Sequence, residues 1–150
     1  MIHPDILDMI ALARDIKKTT GVTDAVTLRN ATEELYTERD VTVDLDGEEW
    51  RFILSSDIDK IMEGELGDDE YMLGCFNAWF LASILDIDTE IVKAAQANEG
   101  YEALGRSIIR GGHLGELQSA YVSADGYGHH FSSYDGNEHD MGAYIAFRTN

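Results

Sequence analysis

Apolar residues recur at helical spacing from the start of the chain. Pro4 suits a first helical turn, and Ile6, Leu7, Ile10, Ala13 and Ile16 follow it until the polar stretch Lys17 to Gly21. This predicts a helix with one buried face. Thr23 suits the N-cap of a second helix carrying Val26, Leu28, Ala31 and Leu35 and ending near Arg39, with a thinner inner face. At Val41 the period becomes two: Val41, Val43 and Leu45, then Trp50, Phe52 and Leu54, with the turn pair Asp46-Gly47 between them. The expectation is a β-hairpin with Asp44, Asp46, Glu48 and Glu49 along its exposed side or at its tip.

Helical patterns return further on. Ser56 or Asp57 suits the cap of a short helix with Ile58, Ile61 and Met62, which breaks at Gly67, Asp68 and Asp69. From Tyr71 to Leu85 the apolar residues Leu73, Cys75, Phe76, Trp79, Phe80 and Ile84 lie all round the helical circumference, predicting a buried central helix. Asp88 and Thr89 open a pattern with Ile91, Val92, Ala94 and Ala95, which Tyr101, Leu104, Ile108 and Ile109 continue to Gly111-Gly112. Leu114, Leu117, Ala120 and Tyr121 predict a last short helix. The glycine- and aromatic-rich tail from Gly126, with Asp135-Gly136 as its turn and a strand-like run Ala143 to Phe147, predicts a second hairpin pairing with the first. The whole reads as one α+β domain over residues 1–150, a helical layer against an antiparallel sheet of about four strands in two hairpins.

Charge sharpens this picture. The chain of 150 residues carries a net −18, of which −10 falls between Glu38 and Glu70. Such a field repels phosphate, so direct nucleic-acid binding is not expected, whereas basic surfaces are attracted. No uncharged apolar run approaches the length of a membrane span, and Met1, His3, Pro4 and Asp5 do not read as a leader. With one cysteine, Cys75, set in an apolar run, the chain reads as cytoplasmic.

Candidate chemistry is sparse. His129 and His130, with Asp135, Glu138, His139 and Asp140, invite a metal reading, but neighbours on a strand point to opposite faces, and no tight ligand pattern is present. Asp44, Asp46 and Gly47 match positions of a calcium loop whose outer ligands are replaced by Thr42 and Ile53. No motif calls for a cofactor. Cys75, His130 and Asp135 are the weak catalytic candidates for a small hydrolase. Their obstacle is that the aromatic neighbours of Cys75 and the acids Asp68, Asp69 and Glu70 both disfavour a thiolate, so a buried inert thiol is the simpler reading.

The tail Asp125-Gly126-Tyr127-Gly128-His129-His130-Phe131, then Tyr134-Asp135-Gly136-Asn137-Glu138, and the ending Phe147-Arg148-Thr149-Asn150 resemble a group of small acidic proteins encoded by phages and other mobile elements. The segment Leu73-Gly74-Cys75-Phe76-Asn77-Ala78 is a second similar block. The resemblance implies a setting in which evasion of host defence is useful. The leading expectation is a protein-binding inhibitor, of the kind of an anti-restriction DNA mimic, that occupies a basic surface of a host nucleic-acid-binding or defence protein. Eighteen charges correspond to roughly 30 Å of duplex at one charge per about 1.7 Å. Its contact residues would be Asp44, Asp46, Glu48, Glu49, Asp57, Asp59, Glu63, Glu65, Asp68, Asp69 and Glu70, provided that they form one track. The competing expectations are an acidic coat serving solubility alone, the small hydrolase, and a structural or assembly protein that forms homo-oligomers.

Overall fold

The computed structural model describes residues 4–150, with side chains from Ile6 onward; the start at Met1 to His3 lies outside the described residues. The described chain is α+β: α1 (Pro4–Thr20), α2 (Ala25–Thr37), β1 (Asp40–Leu45), β2 (Glu48–Leu54), α3 (Ile58–Gly67), α4 (Glu70–Gly74), α5 (Ala78–Leu85), α6 (Thr89–Ala97), α7 (Tyr101–Arg110), α8 (Leu114–Asp125), α9 (Gly128–Phe131), β3 (His139–Met141) and β4 (Tyr144–Arg148). It divides into two compact units. The chain up to Ile58 joins Asp125–Asn150 in a sheet unit, and Asp59–Ala124 forms a helical unit.

In the sheet unit the strands run antiparallel in the order β1-β2-β4-β3. Asp46 and Gly47 join β1 to β2 with φ of 57° and 92°, the left-handed pair that a tight two-residue hairpin turn requires. The period of two, with Val43 opposite Trp50 and Phe52 opposite Ala146, puts Val43, Leu45, Trp50, Phe52, Tyr144 and Ala146 on one face, where they form a core with Ile16, Ala31 and Leu35 of the two helices. On the other face Phe147 is fully buried, with Phe131 of α9 against it at 5.1 Å. The Tyr144 hydroxyl donates to the carbonyls of Leu35 (2.6 Å) and Glu38 (3.0 Å), satisfying the end of α2. Burial raises its pKa, and nearby Arg39 opposes the shift.

The N-cap of α2 is Asp24 and not Thr23, because the Asp24 carboxylate accepts from both the Thr27 amide (2.9 Å) and the Thr27 hydroxyl (2.8 Å). These two bonds, the amide first, lower the Asp24 pKa from 3.8. Asp24→Ala should therefore lower the thermal midpoint at neutral pH. The folded carboxyl titrates below its unfolded value, so its contribution is complete above that value and fades as pH falls through the folded pKa. Melting curves of the two proteins should converge in acid.

Two expectations for this unit are corrected. Of the apolar stripe of α1 only Ile16 is buried, while Ile6, Leu7 and Ile10 are exposed. In the tail, Gly128 to Phe131 is a helical turn and not a strand, and the second hairpin turns at Gly142-Ala143 and not at Asp135-Gly136. The reason is local bonding: Asp135 accepts from the Ser132 hydroxyl (3.0 Å) and the Asn137 amide (3.0 Å), closing a turn ahead of β3.

In the helical unit the expected single helix from Tyr71 to Leu85 is two helices separated at Cys75, Phe76 and Asn77. Asn77 caps α5 through the Trp79 amide (3.0 Å). Gln96 of α6 donates to the carbonyls of Gly74 (3.0 Å) and Phe76 (2.9 Å), groups that the break leaves without helical partners. On its other side α4 meets α7 backbone to backbone: a Cβ on Gly74 would overlap the Tyr101 carbonyl, and one on Gly105 the Glu70 carbonyl. Met62, Leu66, Leu73, Leu81, Ile108 and Leu117 are fully buried in this unit.

Candidate protein-interaction site

The eleven acidic candidates divide between the units, Asp44, Asp46, Glu48, Glu49 and Asp57 in the sheet unit and Asp59, Glu63, Glu65, Asp68, Asp69 and Glu70 in the helical one. Neither unit monopolises the charge: residues 59–124 carry −8 and the rest of the chain −10.

On the hairpin, alternation sorts the acids. Asp44 stands directly opposite Glu49 on one face, with Asp46 in the turn beside them, while Glu48 falls on the other face and pairs with Arg148 at 3.0 Å. The hairpin therefore presents not a row of four carboxylates but a group of three at its tip. Facing like charges destabilise a strand pair. Here local donors offset part of that cost: the Gly47 amide binds Asp44 at 2.9 Å, and the Thr149 hydroxyl binds Glu49 at 2.7 Å. The Thr27 hydroxyl reaches Asp46 at 3.3 Å. Asp57 forms a two-pronged pair with Arg39, at 2.5 and 3.0 Å.

In the helical unit Asp69 caps α4 through the Met72 amide (3.0 Å), Glu70 pairs with Arg106 at 3.4 Å, and Asp59 accepts from the buried Gln118 at 2.9 Å. Three acids of the segment thus hold its local structure. Glu63 and Glu65 on α3 and Asp68 after it add charge to the same stretch of chain.

The side chains that sequence reasoning missed are aromatic. Trp79 is 63% exposed and Tyr71 54%, and Cys75 between them is also exposed. The expectation of a buried thiol is thereby corrected. Tyr71 packs at a tilt against Tyr101, ring centres 5.2 Å apart, and its pKa is raised, chiefly by Cys75, with desolvation, Tyr101 and Glu99 adding to the shift. A signal for Trp79 was present: within α5 it shares a face with the exposed Ser83, whereas Leu81, Ala82 and Ile84 are buried.

The catalytic candidates are divided between the two units. Cys75 belongs to the helical unit and His130 and Asp135 to the sheet unit, where the Asp135 carboxylate is committed to its turn. His129 and His130 lie on the helical turn α9 and not on a strand, with the His130 ring 4.7 Å from Phe131. The half-buried His139 packs against Trp50 at 5.3 Å. His113, just ahead of α8, stands 3.6 Å from Glu116. Among the described residues no group of three His, Cys, Asp or Glu side chains converges to hold a metal ion, and no helix is long and apolar enough to cross a membrane. Compared with family models, curated proteins and solved structures, the chain matches none.

Proposed function

We propose that this protein is a binding module for a basic protein surface, acting as an inhibitor that a mobile element directs at a host nucleic-acid-binding or defence protein. The observation that supports it best is Trp79. An acidic coat that served solubility alone has no use for a solvent-facing tryptophan and tyrosine on the segment that follows Asp68, Asp69 and Glu70. A binding surface does: a negative field steers a basic partner in, and exposed aromatic rings supply the contact energy, including stacking with arginine. The tip carboxylates Asp44, Asp46 and Glu49 offer a second negative group on the other unit. In the narrower reading as a DNA mimic these acids occupy the places of phosphates.

The test uses three acids of the helical unit. Glu63→Gln, Glu65→Gln and Asp68→Asn together remove three charges and spare Asp69, the N-cap of α4, and Asp44, which accepts from the Gly47 amide. In a pull-down from host lysate, the wild-type protein should retain nucleases or other nucleic-acid-binding proteins at low salt and release them at high salt. The triple variant should retain far less while keeping its circular dichroism spectrum. Unchanged retention by the variant removes the reading.

A further inference from the structure

The strand order leaves β1 at an edge of the sheet, and the register fixes which of its backbone groups are spare. The Leu54 amide donates to the Arg39 carbonyl (2.8 Å), so the pairs that exchange hydrogen bonds continue in steps of two, through Val41 with Phe52, Val43 with Trp50 and Leu45 with Glu48. The N–H and C=O groups of Asp40, Thr42 and Asp44 therefore point away from β2, and among the described residues they have no hydrogen-bond partner. All three residues are exposed. Beside them lies a trough of about 290 Å³ between β1 and α2, lined by Thr42, Val43 and Asp44 on one side and Thr27, Asn30 and Glu34 on the other. An open strand edge is a template for one more strand. We propose that this edge takes an extended basic segment of the partner protein as an added antiparallel strand, an inference that rests on the partner-binding reading and names the element the sheet unit receives.

Charge decides between such a segment and a second copy of this chain. Two β1 edges joined antiparallel about Thr42 set Asp40 of each copy opposite Asp44 of the other, and joined in parallel they set Asp40 opposite Asp40, so like charges oppose either pairing. A basic strand meets the reverse situation. Asp44 already faces Glu49 across the ladder, and no lysine or arginine lines the trough, where Glu34 adds a further carboxylate. An arginine beside Asp44 on the added strand relieves that facing pair, while main-chain bonds to Asp40, Thr42 and Asp44 supply a grip that does not depend on sequence. Asp40 itself is already held by Arg51 in a two-pronged pair at 2.9 and 2.7 Å, so the charge contact centres on Asp44 and Glu34. Antiparallel addition continues the pattern of the sheet.

The test is a calorimetric titration of the full chain with a short peptide that alternates arginine and threonine, used unmodified and with its backbone amides methylated either at every arginine or at every threonine. The three peptides carry the same charge. In an antiparallel addition with arginine beside Asp44, the arginine amides face β1 and the threonine amides face away. Methylating the arginines should therefore weaken binding by about tenfold or more, and methylating the threonines should leave it nearly unchanged. In hydrogen exchange the amides of Thr42 and Asp44 should slow when the unmodified peptide is added, whereas those of Val41 and Val43 should be slow throughout. Thr42→Pro removes an outward N–H without touching the ladder to β2 and should weaken binding of the unmodified peptide; if this variant fails to fold, the methylated peptides still decide. Equal affinities for the three peptides, or no affinity for any, overturn strand addition, as do a loss confined to the threonine-methylated peptide and unslowed exchange at Thr42 and Asp44. The partner-binding reading is judged separately, by the variant at Glu63, Glu65 and Asp68, all of which lie outside β1.

Discussion

Gly105→Ala should destabilise the helical unit by about 3 kcal/mol or more, and Gly74→Ala by a comparable amount. The added methyl has nowhere to go, because each would overlap backbone atoms of the facing helix, Glu70 for Gly105 and Tyr101 for Gly74. A clash with a flexible side-chain tip relaxes cheaply, but here α4 and α7 must move apart. Separation loosens the burial of Leu73 on α4 and of Leu104 and Ile108 on α7. The control is Gly64→Ala in α3, where nothing lies within 4 Å of the new Cβ. There the gain in helix propensity should stabilise by up to about 1 kcal/mol. Chemical denaturation of the three variants thus tests a sign reversal within one unit: the same methyl helps at Gly64 and harms at Gly74 and Gly105.

These glycines also mark where the sequence was hardest to read. The first hairpin was plain, because alternation and Asp46-Gly47 are local signals that packing did not override. The α+β class and the four strands likewise follow from the change of period at Val41 and the strand-like run before Phe147. The segment Tyr71 to Leu85 misled because two short helices with different inward faces, read as one, look apolar all round. Asn77 as a cap was a local cue, whereas Gly74 as a close-packing residue acquires its meaning only from α7, distant in sequence. Reading the stretch as a single buried helix then hid Cys75 and Trp79. In the tail, Asp135-Gly136 is a turn as its composition says, but the hairpin closes further on, at Gly142-Ala143, where only the pairing of β3 with β4 locates it. The acidic candidates were legible as a count and not as a surface. Which carboxylates cap, which pair with arginine and which unit holds each depend on contacts such as Glu48 with Arg148 and Glu70 with Arg106.

Trp79→Ala should weaken binding of a basic partner by about tenfold or more, the size of loss typical when an exposed aromatic anchor is removed from an interface. The substitution leaves net charge untouched. Folding should also be nearly unaffected, because the Trp79 ring is mostly in water and the cap of α5 uses only its backbone amide. Tyr71→Ala should act in the same direction with a smaller loss, since part of its ring is already engaged with Tyr101. Removing acids instead should flatten the dependence of binding on salt. The two kinds of variant thus separate contact from steering.

The most direct measurement is a calorimetric titration of an arginine-rich peptide into the wild-type protein and into Trp79→Ala, at low and at high salt. Binding through an acidic field with an aromatic anchor predicts that affinity falls with salt for both proteins, and that Trp79→Ala is weaker by about tenfold at either salt. Equal affinities for the two proteins at every salt concentration would contradict it, leaving the carboxylates as a solubilising coat and Trp79 without a role in recognition.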